Sequence, residues 1–255
     1  MTRIAAVGDI HLAPGSEGLL RPAFDTLGGS ADLLLLAGDL TRHGTPEEAA
    51  VVAGEVRGLP VPVVAVLGNH DYQSDRQDEV ADVLREAGVS VLEGTSVRID
   101  GNGTPIGVAG TKGFCGGFAG RCAGDFGEPE MKALVRAARE SAEGLRQALD
   151  GLADADCAVR IALTHFAPVP DTLAGEPLEI YPFLGSYLLA EAIDAAGADL
   201  AVHGHAHHGT EHGMTVGGVR VRNVAMPVIG RAFAVYHLAT ARPDGAEPAQ
   251  TGRQP

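Results

Sequence analysis

Five short apolar runs, Arg3–Val7, Asp32–Ala37, Val61–Leu67, Val159–Leu163 and Leu200–Val202, lead into polar signatures. These are Asp9-Ile10-His11, Gly38-Asp39, Gly68-Asn69-His70-Asp71, Thr164-His165 and Gly204-His205-Ala206-His207. Ala/Val/Leu/Ile runs of this kind read as strands buried on both faces. Helical patterns lie among them: about Gly18–Leu27, Pro46–Arg57 with Pro46 in the first turn, Gln77–Ala87 closed by Gly88, and Tyr187–Ala196 closed by Gly197. The chain therefore opens strand, helix, strand, helix, strand, and its fold class is α/β. In open α/β sheets ligands gather where the carboxyl ends of strands meet loops, which is where the signatures fall.

A second set of strand candidates is Val89–Leu92, Ser96–Ile99, Ile106–Ala109, Thr215–Asn223 and Ala232–His237. Short turns such as Asp100-Gly101-Asn102-Gly103 and Gly217-Gly218 make this set read as a second, partly antiparallel sheet. Pro129–Leu152 reads as one long helix, or two joined near Gly144. The 255 residues suit one domain, taken as 1–240, because signatures spread over most of the chain must meet in one site. The segment 241–255 is rich in Pro, Gly, Ala and Gln without periodicity and is expected to be disordered.

A pair of divalent cations needs several oxygen and imidazole ligands converging on one point, with a carboxylate able to reach both. No single segment supplies that set. Asp-x-His offers an oxygen and a nitrogen from same-side positions of an extended chain, because alternate strand residues face the same way, and His205 and His207 would repeat this. Each signature alone is weak, since a strand-end His is usually only hydrogen-bonded or exposed. Five in one order are specific.

In that order the signatures resemble the calcineurin-like metallophosphoesterases, whose pattern is Asp-x-His, Gly-Asp, Gly-Asn-His-Glu/Asp, His and Gly-His-x-His. The match spans positions 9 to 207, and GDIHL, GDLTRHG, GNHD and GHAH are similar to the bacterial phosphodiesterase branch that includes the cyclic-nucleotide phosphodiesterases. The resemblance implies two packed mixed β-sheets flanked by helices, a four-layer α/β/β/α sandwich. It implies that Asp9, His11 and His207 hold one divalent metal ion and Asn69, His165 and His205 a second, with Asp39 bridging both. Carboxylate, imidazole and amide ligands accept Mn, Fe, Zn or Ni. A metal-bridged hydroxide is then the expected nucleophile on phosphorus. His70 is implied to face the substrate as a hydrogen-bond or proton donor, and Asp71 to orient a neighbouring imidazole. The plainer readings are a structural histidine in a turn and a capping carboxylate.

The expected reaction is hydrolysis of a small phosphodiester, with phosphomonoester hydrolysis as the alternative. A non-catalytic scaffold is a third reading, but it predicts loss of Asp9, Asn69 or His70, and all three are present. Arg42 and His43 follow Asp39 closely and are candidates to touch substrate. The segment Gly110–Pro129 holds seven Gly and three Phe, a composition suited to a mobile lid. In it Phe114, Phe118 and Phe126 are expected to shape an apolar wall and Arg121 or Lys112 to meet a phosphate. The alternative is a flexible loop without substrate contact. His203 reads as a satisfied core histidine, and His208 and His212 as surface or supporting residues.

A net charge of −14 disfavours wrapping a long polyanion, so no extended nucleic acid is expected as a partner. There is no Gly-Lys-Ser/Thr phosphate loop and no Gly-x-Ser-x-Gly elbow. No apolar run approaches the roughly 18 residues of a membrane span. A strand starting near the first residue, with a ligand at position 9, leaves no room for a signal peptide, so a cytoplasmic location is expected. Three cysteines argue against a disulfide framework. The apolar Met214–Asn223 and Val224–Ile229 segments suggest a homodimer or burial in the second sheet.

Overall fold

The computed structural model of the chain describes residues 1–101, 104–118 and 120–239. The tail expected at 241–255 and the centre of the Asp100–Gly103 turn lie outside the described residues. The strands are β1 (Thr2–Val7), β2 (Leu33–Ala37), β3 (Val63–Val66), β4 (Val89–Val91), β5 (Thr95–Gly101), β6 (Thr104–Thr111), β7 (Gly117–Phe118), β8 (Arg121–Cys122), β9 (Val159–Thr164), β10 (Leu200–His203), β11 (His212–Met214), β12 (Arg220–Asn223) and β13 (Ala234–Leu238). The helices are α1 (Arg21–Phe24), α2 (Leu27–Ser30), α3 (Pro46–Val56), α4 (Gln77–Glu86), α5 (Pro129–Asp154), α6 (Tyr181–Leu184), α7 (Tyr187–Ala196) and α8 (Met226–Ile229).

Two mixed sheets form, ordered β13-β1-β2-β3-β4 and β11-β12-β10-β9-β6-β5. In the first, β1 to β4 are parallel and β13 is an antiparallel edge. In the second, β12, β10, β9 and β6 are parallel, with β11 and β5 antiparallel at the two edges. Alternation along each strand builds three apolar layers. Ile4, Ala6, Leu33, Leu35, Val64 and Val66 of the first sheet meet Ile106, Val108, Val159, Ile161, Leu163 and Val202 of the second. The opposite face of the first sheet packs Ala5, Val7, Leu34 and Leu36 against Phe24, Val52, Val80 and Leu84 of α1, α3 and α4. The opposite face of the second packs Ala109, Ala162 and Ala201 against Leu145, Leu149, Leu189 and Ile193 of α5 and α7. The result is the expected α/β/β/α sandwich.

Two expectations change, and one open alternative closes. Sheet membership is crossed: β4 and β13, expected in the second sheet, belong to the first, while β9 and β10 belong to the second. The helix expected at Gly18–Leu27 is replaced by the short α1 and α2. Its first residues are held instead by the Glu55 carboxylate of α3, which accepts the amides of Gly18, Leu20 and Arg21. The long helix is single, and it passes Gly144 unbroken; a Cβ there would stand 3.4 Å from the Gly94 Cα, so the glycine lets α5 lie close on the sheet edge. Among the described residues no helix is long and apolar enough to cross a membrane.

Candidate metal centre

Every parallel strand from β1 to β3, and β9 and β10, delivers its signature at its carboxyl end, on the rim shared by both sheets. The delivery is not strand alternation. β1 ends at Val7 and β10 at His203, and the chain then enters left-handed backbone: φ is +57° at Asp9, +43° at His11, +50° at Asp39 and +71° at His205. Such conformations are uncommon for residues with a Cβ and cluster where surrounding structure enforces them. They turn the side chains back over the strand ends. As a consequence His205 and His207 diverge, each joining a different donor group.

One group is Asp9, His11, Asp39 and His207, and the other is Asp39, His165 and His205; within each, one donor atom per residue lies within 4.8 Å of the others. Asp39 belongs to both. His165 Nε2 lies 3.3 Å from Asp39 Oδ1, and His11 Nε2 lies 3.9 Å from Asp39 Oδ2. Asn69 Oδ1 is 2.9 Å from His165 Nε2, which puts the amide beside the second group. His207 Nε2 is 2.9 Å from Asp9 Oδ1, and the His205 amide donates to the same carboxylate. Glycines clear the space. A Cβ on Gly38 would stand 2.6 Å from His165 Nδ1, and one on Gly68 would fall onto the Asp39 carboxylate and amide. All seven expected ligands are therefore brought together.

The residues fit divalent cations. Two carboxylates and an amide oxygen converge with four imidazoles, a set that hard-to-borderline divalent metals accept. His11 Nε2 is buried with no hydrogen-bond partner in the protein, a lone polar atom aimed into the group. Burial holds His165 and His205 down to about 3, so both imidazoles are neutral with a lone pair to give. Burial also lowers His11, opposed by Asp39. It pushes the Asp9 carboxyl up to about 6 despite the hydrogen bond from His207. His207 moves the other way, raised first by that same bond. An acid pushed up beside imidazoles pushed down marks a pocket whose burial disfavours unpaired charge of either sign, and perturbed groups of this kind gather at functional sites.

His70 opens a short 3₁₀ turn after β3. Its Nδ1 donates to the Arg42 carbonyl at 2.8 Å, leaving Nε2 facing the centre, 3.9 Å from Asp39 Oδ2. Asp71 is fully buried but does not orient an imidazole. Its Oδ2 accepts the amides of Gly68 (2.7 Å) and Leu40 (3.2 Å), and its Oδ1 accepts the Thr41 amide (2.8 Å) and hydroxyl (2.6 Å). It thus ties the turn after Asp39 to the turn before Asn69. Burial pushes this carboxyl up to about 6 against those donors.

The expected substrate contacts are placed differently. Arg42 serves the site through its carbonyl, and His43 points Nδ1 at Glu48 Oε1, 2.9 Å away. Phe118 is buried with Ala167, Leu173, Leu184 and Ala206, so it supports the turn between His205 and His207. Phe126 is 87% exposed and walls nothing. The start of the Gly-rich segment is pinned, the Gly116 and Gly117 amides donating to the Pro182 and Gly185 carbonyls. Arg121 lines a cleft of about 600 Å³ with Cys115, Cys122, Met131, Leu134 and Phe183. All three cysteines are free. His203 is a satisfied core residue, as expected.

Sequence reasoning missed two supports. Phe166 packs its ring 4.5 Å from that of His205 and 5.6 Å from that of His165, and its only signal was its place directly after a ligand. Asn223, buried at the end of β12, donates to the Ala206 carbonyl and so holds the histidine turn.

The chain belongs to the calcineurin-like phosphoesterase family, whose profile matches residues 2–209. A Synechococcus protein described as a probable cyclic nucleotide phosphodiesterase is 34% identical over 87 residues, which is 30% of this chain and 34% of that one. The match thus spans about a third of the relative's length. Among solved structures, the phosphopantetheinyl hydrolase of Mycobacterium tuberculosis aligns with a TM-score of 0.63 at 19% identity, covering 88% of this chain and 89% of that one. A Thermus thermophilus protein aligns at 0.55 and 19% identity, covering 92% and 98%. Both likenesses show the fold.

Proposed function

We propose that the protein uses two divalent cations to hydrolyse a small phosphodiester. The observation that carries the two-metal reading is the overlap of the donor groups at Asp39, one carboxylate common to both. Divalent cations held by these residues would supply Lewis acidity toward phosphoryl oxygens and would lower the pKa of a water ligand. The chain's own residues do the rest. Asp39 and Asp9 provide the anionic oxygens, and neutral His165 and His205 add ligands without adding charge. Asn69 adds a neutral oxygen, which limits the negative charge of the cage. His70, fixed through Nδ1 on the Arg42 carbonyl, turns its Nε2 toward the centre, where the doubly protonated ring would donate to the leaving oxygen.

The diester preference rests on the wording of the signatures and on the Synechococcus relative. Its test is hydrolysis of a chromogenic diester and the matching monoester by chelated protein reconstituted with Mn²⁺, with Asp39→Asn as control. Diester turnover lost in the variant is the expected result. A monoester preference would replace the diester reading, and turnover on neither substrate by fully loaded protein would argue for a binding role.

A further inference from the structure

Four parallel strands of the second sheet end on the same rim, and β6 stands beside β9 there. Thr111 pairs with Thr164, so Lys112 follows β6 where His165 follows β9. The two are locked together, because the Lys112 carbonyl accepts both the His165 and the Phe166 amides at 3.0 Å. Its ammonium lies 4.9 Å from the ring centroids of Tyr72 and Phe114 and 5.3 Å from that of Phe166. Tyr72 ends the turn that His70 begins, and Phe166 packs on His205 and His165. The charge is therefore set between the His70 turn and the two histidines of the second donor group.

Aromatic faces hold a cation without cancelling its charge, whereas a carboxylate would neutralise it. The acid with the largest pull on Lys112 is Glu93, and both its oxygens are engaged: Oε1 by the Thr111 hydroxyl at 2.7 Å, Oε2 by the Lys112 amide at 3.0 Å. Among the described residues the ammonium's own hydrogen bond is a long one, 3.4 Å to the Gly113 carbonyl. An ammonium carries three donors, so two are left for another oxygen. In a chain of net charge −14, such a cation marks the point where an anion is received.

We propose that Lys112 is a substrate-binding residue whose ammonium donates to a non-bridging oxygen of the phosphoryl group held at the metal centre. The proposal rests on the phosphoester reading of that site and adds a recognition group outside the metal ligands. It also assigns the phosphate contact to Lys112 over Arg121, which lines the cleft beside Phe183.

The test uses Mn²⁺-loaded protein and inorganic phosphate as the probe. Phosphate affinity is measured by calorimetry and as competitive inhibition of chromogenic ester hydrolysis. Loss of one charge-assisted hydrogen bond predicts phosphate binding weakened about 10- to 100-fold in Lys112→Met, and similarly in Lys112→Gln. Lys112→Arg should stay within a few-fold of wild type. Metal content and melting midpoint should be unchanged in all three. Wild-type phosphate affinity in both neutral variants would overturn the proposal, as would loss of metal together with phosphate. Turnover retained alongside unchanged phosphate affinity would reject Lys112 while leaving the phosphoesterase reading intact. Wild-type protein that binds phosphate but cleaves neither ester would do the reverse.

Discussion

Thr41→Val removes one hydroxyl from a fully buried position and leaves the side-chain volume nearly unchanged. That hydroxyl donates to Asp71 Oδ1 at 2.6 Å and accepts the Gly44 amide at 3.1 Å. The variant therefore loses a hydrogen bond to a charged acceptor, about 1.5–3 kcal/mol, and leaves one buried amide unpaired, about 1–3 kcal/mol. The expected cost is about 2.5–6 kcal/mol in urea unfolding of chelated protein, while Thr41→Ser keeps both bonds and should cost less than half as much. Because Asp71 joins the turns that present Asp39 and Asn69, metal affinity should also fall, by about 10- to 100-fold as for other residues that brace ligands. Unfolding free energies of the Val and Ser variants that agree within about 0.5 kcal/mol, with metal affinity unchanged, would refute the reasoning.

Three further outcomes are expected. His203 is buried and held down to about 4 from 6.5, so the unfolded chain takes up the proton first as pH falls; stability present above pH 6.5 is lost progressively down to pH 4, about 3 kcal/mol in all. In chelated His203→Gln that share of the acid dependence disappears, and an unchanged slope of unfolding free energy against pH would contradict it. Leu145→Ala, at a fully buried position of α5, should cost about 2–5 kcal/mol in urea unfolding and leave metal affinity alone. His70→Ala should lower kcat by about 10²–10⁴ with metal content intact, and loss of metal instead would make His70 a ligand support.

The apolar runs announce β1, β2, β3, β9 and β10, and their endings announce the six grouped donors and the adjoining Asn69, because burial on both faces and ligand chemistry are local in sequence. Which sheet a strand joins is not local. β13 reads as a short half-apolar segment, yet it pairs with β1 across more than 200 residues, and nothing in Ala234–Leu238 names that partner. Strand alternation would align the Asp-x-His and His-x-His ligands, whereas the chain has left β1 and β10 before either motif begins and aims them by left-handed backbone. Asp71 reads as an imidazole partner because it adjoins one in sequence; folded, its four donors come from Leu40, Thr41 and Gly68. Phe118 lies in a Gly-rich stretch whose composition suits a mobile lid, and its packing with Leu173, Leu184 and Ala206 is not written in that stretch.

The two donor groups sharing Asp39 are tested most directly by titrating chelated protein with Mn²⁺ and counting bound ions per chain. The account predicts two sites in the wild type, one in His207→Ala, one in His165→Ala, and loss of tight binding at both in Asp39→Asn. A single site in the wild type, abolished equally by His207→Ala and by His165→Ala, would contradict it.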